Sequence, residues 1–451
     1  MPGRMEFDFD LGRGREGRAR DDSTPMRLLV IGDFSGRPVA ERPPLASRPT
    51  HKVDVDTLDM VMQRLGPRLR SPAGEIALQR IDDFHPDALF TRVELFQALR
   101  QARTNPPARN TAAGNDDLGR LLGKPTESPA APVAAGAAGI DALIRSIVAP
   151  HIVKDTSPET KPYLAAVDAA IAAEMRTVLH DPAFLALESA WRGVQWLTSS
   201  LELDGPLQLH LLDATREELV SDVIAAQGKL AQTGLYGALV DRWRNVPGGE
   251  GWSMLAALFD FGTSTADVGL LAAMGLVASN AGGPLLAGAD PALTGGDADA
   301  LADWTALRRS EAAPWIGLAA PRVLLRMPYG KASDPIEAFA FEECIGEPGR
   351  NELLWGNGAL AAALLIGRAF NERGWDMEPG DEREIGDLPA YTYTRDGERH
   401  MQPCAERVLT ESQIDSMIKG GLIPIAGRRD RNAVVAIRFQ SISDPPAPLA
   451  W

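Results

Sequence analysis

Pro321-Arg-Val-Leu-Leu-Arg-Met-Pro-Tyr-Gly330 opens a stretch that runs through Asp334-Pro-Ile-Glu337, Phe339-Ala-Phe-Glu-Glu343 and Leu354-Trp-Gly-Asn357 to Ala359. The apolar run Arg322–Met327 predicts a buried strand, and Pro328-Tyr-Gly330 predicts a turn. The acidic residues up to Glu343 read as a loop. Trp355-Gly-Asn357 reads as a corner entering an alanine-rich helix, because Gly358–Phe370 is the most apolar segment of the chain. A strand, a loop and a buried helix in this order point to an α/β sheet covered by helices.

The rest of the chain is consistent with that class. With 451 residues, 45% hydrophobic and 24% charged, it has room for two or three domains with substantial cores. A net charge of −15 argues against nucleic acid as a partner. A local basic cluster, Arg13, Arg15, Arg18 and Arg20, reads as a solvated tail. Two cysteines, Cys344 and Cys404, make no disulfide framework and no zinc spacing. The N-terminus lacks the apolar core of a signal peptide. Gly358–Phe370 falls short of the ~20 residues that span a bilayer. The expectation is a cytoplasmic protein with no membrane insertion.

Four segments follow from the patterning. Residues 1–25 form an extended N-terminal arm in which Met5-Glu-Phe-Asp-Phe-Asp10 alternates apolar and acidic positions. Residues 26–103 form a first domain. A strand at Met26–Ile31 ends in the turn Gly32-Asp-Phe-Ser-Gly36. A helix capped by Asp56 carries Leu58, Val61, Met62 and Leu65, and Gly66 stops it. Ile76, Leu78 and Ile81 suggest a strand, and Asp87 is placed to cap one helix carrying Leu89, Val93, Phe96 and Leu99. This domain has too few strands to stand alone. Residues 104–139, rich in Pro, Ala and Gly, read as a flexible linker. Residues 140–451 form the larger domain. It has helices across Leu164–Val178 and Phe184–Val194, separated by Asp181-Pro182. Strands are expected at Leu207–Leu211, Ser253–Phe261, Pro284–Ala287 and Arg322–Met327, a hairpin arm at Tyr391–Thr394, and a last strand at 434–439.

Several of these strings together resemble the sheath proteins of type VI secretion systems. The large-subunit resemblance rests on His180-Asp-Pro-Ala-Phe-Leu-Ala-Leu-Glu-Ser-Ala-Trp-Arg-Gly193, Phe259-Asp-Phe261, the stretch 321–359, and Leu388–Gly397 with Gln402-Pro-Cys404. The small-subunit resemblance rests on Leu28–Gly36, Val53–Asp59 and Ile81-Asp-Asp-Phe-His-Pro86. The resemblance implies a sheath-subunit-like mixed sheet and a natural fusion of a small sheath subunit-like domain, 26–103, with a large sheath subunit-like domain, 140–451. It also implies no enzyme activity, and assembly with copies of itself or with other sheath, tube or baseplate proteins through packing and strand exchange. Two departures stand out. The family's large subunit continues past the segment matching 388–439, whereas this chain stops at Trp451. The linker lies where the family places helices recognised by a disassembly ATPase. These departures leave a second reading, a non-polymerising adaptor, cap or regulator.

Candidate chemistry is sparse. Gly12-Arg-Gly-Arg-Glu-Gly17 matches a dinucleotide pattern without the apolar helix that the pattern needs. Gly119–Lys124 is too short for a P-loop. The pairs Asp82-Asp83 and Glu342-Glu343, read as lying on strands, would point to opposite faces and not converge. His180 reads as a cation at a helix end. Trp191, Trp355 and Trp375 read as core anchors. No catalytic, cofactor or metal site is expected. The candidate interface residues are Glu6, Phe7, Asp8, Phe9 and Asp10, an alternating strand suited to joining a neighbour's sheet edge.

Overall fold

The computed structural model describes residues 24–71, 74–104, 160–290, 293 and 301–451. The elements begin with β1 (Met26–Gly32), β2 (His51–Val53), α1 (Leu58–Leu65), β3 (Arg68–Ser71) and β4 (Gly74–Ala77). Next come α2 (Pro86–Arg92), α3 (Glu94–Thr104), α4 (Thr160–Leu179), α5 (Pro182–Ser200), β5 (Leu207–Asp213) and α6 (Arg216–Ala225). The central part holds β6 (Met254–Phe261), α7 (Thr265–Ala281), β7 (Leu285–Ala289), α8 (Ala302–Arg308) and β8 (Ile316–Ala320). After β9 (Val323–Leu324) and β10 (Trp355–Gly356) comes α9 (Gly358–Arg373). The chain closes with β11 (Glu384–Ile385), β12 (Tyr391–Arg395), β13 (Glu398–Gln402), α10 (Glu411–Lys419), β14 (Leu422–Gly427) and β15 (Val434–Ala436).

These elements form two compact units. The first holds the described residues up to Pro67, with Ala186–Met327 and Leu353–Trp451; the second holds the described residues of Arg68–Leu185 and Pro328–Glu352.

The first unit is built on a sheet of nine strands among the described residues, ordered β11-β15-β14-β8-β7-β6-β1-β5-β2. From β14 to β5 neighbouring strands run parallel. At the ends β2, β15 and β11 run antiparallel. Strands buried on both faces must be apolar at successive positions. Leu28-Leu-Val-Ile31 and Met254-Leu-Ala-Ala257 meet that demand, with every residue essentially inaccessible. On one face Leu29, Ile31, Leu255, Ala257 and Leu318 pack with Leu271, Met274 and Val277 of α7. On the other lies α9, buried from Gly358 through Gly367 and so apolar on nearly all sides. A Cβ on Gly358 would stand 2.5 Å from the carbonyl oxygen of Ala319, so only glycine lets α9 start this close to β8.

Of the strands in residues 26–103, β1 and β2 belong to this sheet, and β3 and β4 pair with each other. β1 lies between β5 and β6, paired with both. The strand expected over Arg322–Met327 is shorter than its apolar run suggests: only Val323–Leu324 pairs, with β10, outside the large sheet. The sheet strand is the preceding Ile316–Ala320, whose Gly and Ala content hides it. The hairpin β12–β13 turns through Asp396-Gly397, both with positive φ as a two-residue turn requires. The last strand stops at Ala436. α1 starts one residue after its expected place, because Asp54, and not Asp56, accepts the N–H groups of Asp56 and Thr57.

In the second unit the single helix expected after Asp87 is two, since Val93 is extended between α2 and α3. His85, and not Asp87, is the cap: its Nδ1 accepts from the Asp87 N–H at 3.2 Å. The Asp87 carboxylate instead takes the N–H groups of Glu337 and Ala338, at 3.1 and 3.0 Å. Phe84 meets Phe184 edge-on, and Phe90 packs on Phe339 at 4.9 Å. Asp181 caps α5 through Ala183 and Phe184, as the Asp-Pro pair requires.

Candidate functional site

Parts of the strings singled out in the sequence meet in the first unit. α5 brings Glu188, fully buried, against Arg326, which follows β9. Arg326 donates to both carboxylate oxygens, Nε to Oε1 at 2.8 Å and Nη2 to Oε2 at 3.0 Å. Arg192, one turn along α5, adds Nε to Oε1 at 2.7 Å. Burial works to raise the Glu188 carboxyl, but the charges and hydrogen bonds of Arg326 and Arg192 outweigh it and hold it below its ordinary range. The next residue, Ser189, donates to the carbonyl of Trp355 at 2.8 Å. Asn357 caps α9 with its side-chain oxygen on Ala359 N–H, and its amide donates to Asp260 at the end of β6, both at 2.9 Å. Arg322 forks onto Glu406, at 3.0 and 2.7 Å. Thus α5, Phe259-Asp-Phe261, the opening stretch and the segment after β13 are tied together by polar bonds inside an apolar core.

A second set of bonds joins the N-terminal strand to this core. Asp213, at the end of β5, accepts from Phe34 N–H at 2.8 Å, Ser35 N–H at 3.1 Å and Ser35 Oγ at 2.8 Å. The buried Arg42 guanidinium bridges Asp213 at 2.9 Å and Asp33 at 2.6 Å. Arg48 forks onto Glu218, at 2.5 and 2.6 Å. Trp191 donates its ring N–H to the Phe34 carbonyl at 2.8 Å and packs edge-on to the Phe34 ring. The turn Gly32–Gly36 is therefore a docking corner. Sequence reading missed these partners because the bonds that join the N-terminal strand to the core link residues 157 to 179 apart.

The other candidates are structural. Asp82-Asp83 lies on a 3-10 turn, not a strand, yet the two side chains do part: Asp82 is exposed and Asp83 buried. Burial opposes ionisation of Asp83, but Gln79 N–H and Arg92 prevail and lower its pKa. Glu342-Glu343 lies in a loop; Glu342 is exposed, whereas Glu343 is buried and takes the Tyr329 N–H at 2.7 Å. In the second unit an open cleft of about 620 Å³ is lined by Arg176, His180, Glu343, Glu347 and Glu352. His180 is placed there, 3.8 Å from Glu343. Trp191 and Trp355 are buried, and Trp375 is half-buried with its N–H on the Thr24 carbonyl. Among the described residues no His, Cys, Asp and Glu cluster is arranged for a metal ion. No helix among them is long and apolar enough to cross a membrane. Glu6, Phe7, Asp8, Phe9 and Asp10, like Gly12–Gly17 and Gly119–Lys124, lie outside the described residues.

A family model described as the EvpB/VC_A0108 tail sheath N-terminal domain (VipB) matches residues 161–443. The chain belongs to the tail sheath family. A second family model, described as type VI secretion system VipA, VC_A0107 or Hcp2, matches residues 3–124. The chain is similar to the type VI secretion system sheath protein TssC1 of Pseudomonas aeruginosa, with 30% identity over 317 residues, 65% of this chain and 63% of that protein. It is also similar to sheath protein TssB1 of the same organism, with 25% identity over 111 residues, 22% of this chain and 62% of that protein. The chain thus spans somewhat less than two thirds of each curated relative. In tail sheath terms, the bonds from Phe34, Ser35, Arg42 and Arg48 to Asp213 and Glu218 join the VipA-matching segment to the VipB-matching one.

Proposed function

We propose that the chain is a structural subunit of a type VI secretion contractile sheath. In this reading a small-subunit-like domain, 26–103, and a large-subunit-like domain, 140–451, act as one building block tethered by 104–139. The observation that carries the reading is the position of β1. A strand from the segment matching VipA is hydrogen-bonded on one edge to β5 and on the other to β6, both from the segment matching VipB. Such a strand completes a shared sheet, so its work is to build a subunit and not to line an active site.

The protein then acts without catalysis, by packing with copies of itself and with other sheath, tube or baseplate proteins. Its acidic pairs support this, since each is split between a solvated and a structural carboxylate. Cys344 and Cys404 are buried thiols outside any disulfide, which suits the reducing cytoplasm. The arm supplies strand exchange: the alternation at Glu6, Phe7, Asp8, Phe9 and Asp10 suits addition to a neighbour's sheet edge. Sedimentation velocity of the full chain and of a variant lacking residues 1–12 tests this. The full chain should sediment as large assemblies and the deletion as single subunits. Unchanged assembly after deletion would remove the arm from the account, and a full chain that stays monomeric would remove the sheath role.

A further inference from the structure

β2 is the short cover on one edge of the sheet. It has three residues and, among the described residues, one strand neighbour, β5. Two buried histidines sit in this pairing: His51 on β2, across from Leu211, and His210 on β5, across from Lys52. Because side chains alternate along a strand, they lie on opposite faces. His210 meets Trp252 edge-on at 5.2 Å and Trp243 at 5.9 Å. Its Nδ1 is buried without a hydrogen-bond partner, and its Nε2 lies 3.4 Å from Gln208 Oε1. The charged groups about it are Lys52 of β2 and Arg27 of β1. Arg27 lies over the Trp243 ring and pairs with Glu250 at 2.5 Å. About His51 they are Arg64 of α1 and Asp213 of β5, and Asp213 is already engaged by Arg42.

We propose that β2 is an acid-releasable cover: protonating His210 and His51 charges both faces of the β2–β5 pairing, and β2 detaches before the rest of the sheet opens. Burial first, then Arg27 and Lys52, lowers the pKa of His210 from 6.5 to about 4. Burial and Arg64 lower that of His51, against the pull of Asp213. A detached, solvated imidazole takes its proton near 6.5, whereas the packed one resists. The cover is therefore fully held above about pH 6.5 and is lost as pH falls toward 4. His210 stays on β5, beside Trp243 and Trp252, so its share of the gain on detachment is at most about 20-fold between pH 7 and pH 5. The β5 edge so bared presents main-chain donors and acceptors that can pair with another strand.

Hydrogen exchange on the full chain, corrected for intrinsic rates, tests the proposal. Between pH 7 and pH 5, peptides covering 49–55 should lose protection severalfold, up to about 20-fold through His210, while those covering 254–261 keep theirs. The double variant H51N/H210F should lose the pH response. An undiminished response in that variant, or simultaneous loss in both regions, overturns the proposal. Should the variant not fold, the native chain decides: loss of protection over 49–55 that tracks histidine protonation followed by NMR in the same samples supports the cover, and protection over 49–55 that survives protonation of both histidines refutes it.

Discussion

Replacing Glu188 by Gln probes the bond set that ties the sheath-like strings together. The substitution keeps shape but removes the charge that neutralises Arg326, whose side chain is 9% exposed, and Arg192, whose side chain is 18% exposed. Arg192 can turn back toward water. Arg326 stays enclosed, and a Gln amide would face its guanidinium donor to donor. Breaking a buried pair from one side costs about 3–5 kcal/mol. Against a typical total of about 5–15 kcal/mol, that is a large part of the stability. Urea unfolding followed by tryptophan fluorescence reads the loss, since Trp191 sits in the same helix. The change of both partners to apolar residues, Glu188→Met with Arg326→Met, should recover most of the loss, because well-packed apolar substitutes remove both desolvation penalties. A loss below about 1 kcal/mol for Glu188→Gln, in the range of a surface pair, would refute the reasoning.

Gly358→Ala should destabilise by about 1–3 kcal/mol or more by overpacking, since the new methyl meets the rigid Ala319 backbone at 2.5 Å; the urea midpoint checks this. Cutting the chain after Lys124, where the VipA match ends, and co-expressing the pieces should yield a stable complex. The larger piece alone should be insoluble, because it lacks the strand between β5 and β6. Affinity co-purification reads both outcomes.

Much of this was legible in the sequence, for physical reasons. β1, β6 and β7 are apolar at successive positions, as strands covered on both faces require, and β5 shows the alternation of Leu207, Leu209 and Leu211. α5 and α9 announced themselves through Asp181-Pro182 and Trp355-Gly-Asn357. The polar bonds were not legible, because Glu188 and Arg326 are 138 residues apart and nothing local couples them. β8 was hidden by Gly and Ala, and its neighbour's Arg322 and Arg326 sit beside apolar residues that looked like a strand. His85 took the cap expected of Asp87 because the Asp87 carboxylate holds the chain at Glu337 and Ala338. The divergence of Asp82 and Asp83 was anticipated from strand geometry, where a 3-10 turn achieves it; the burial of Asp83 was not.

Electron microscopy of the purified full chain under assembly conditions tests the central claim most directly. A fused sheath subunit predicts helical tubes whose repeating unit is one copy of this chain, holding β1 within its own sheet. Discrete, non-helical particles at every protein concentration and ionic strength would contradict it.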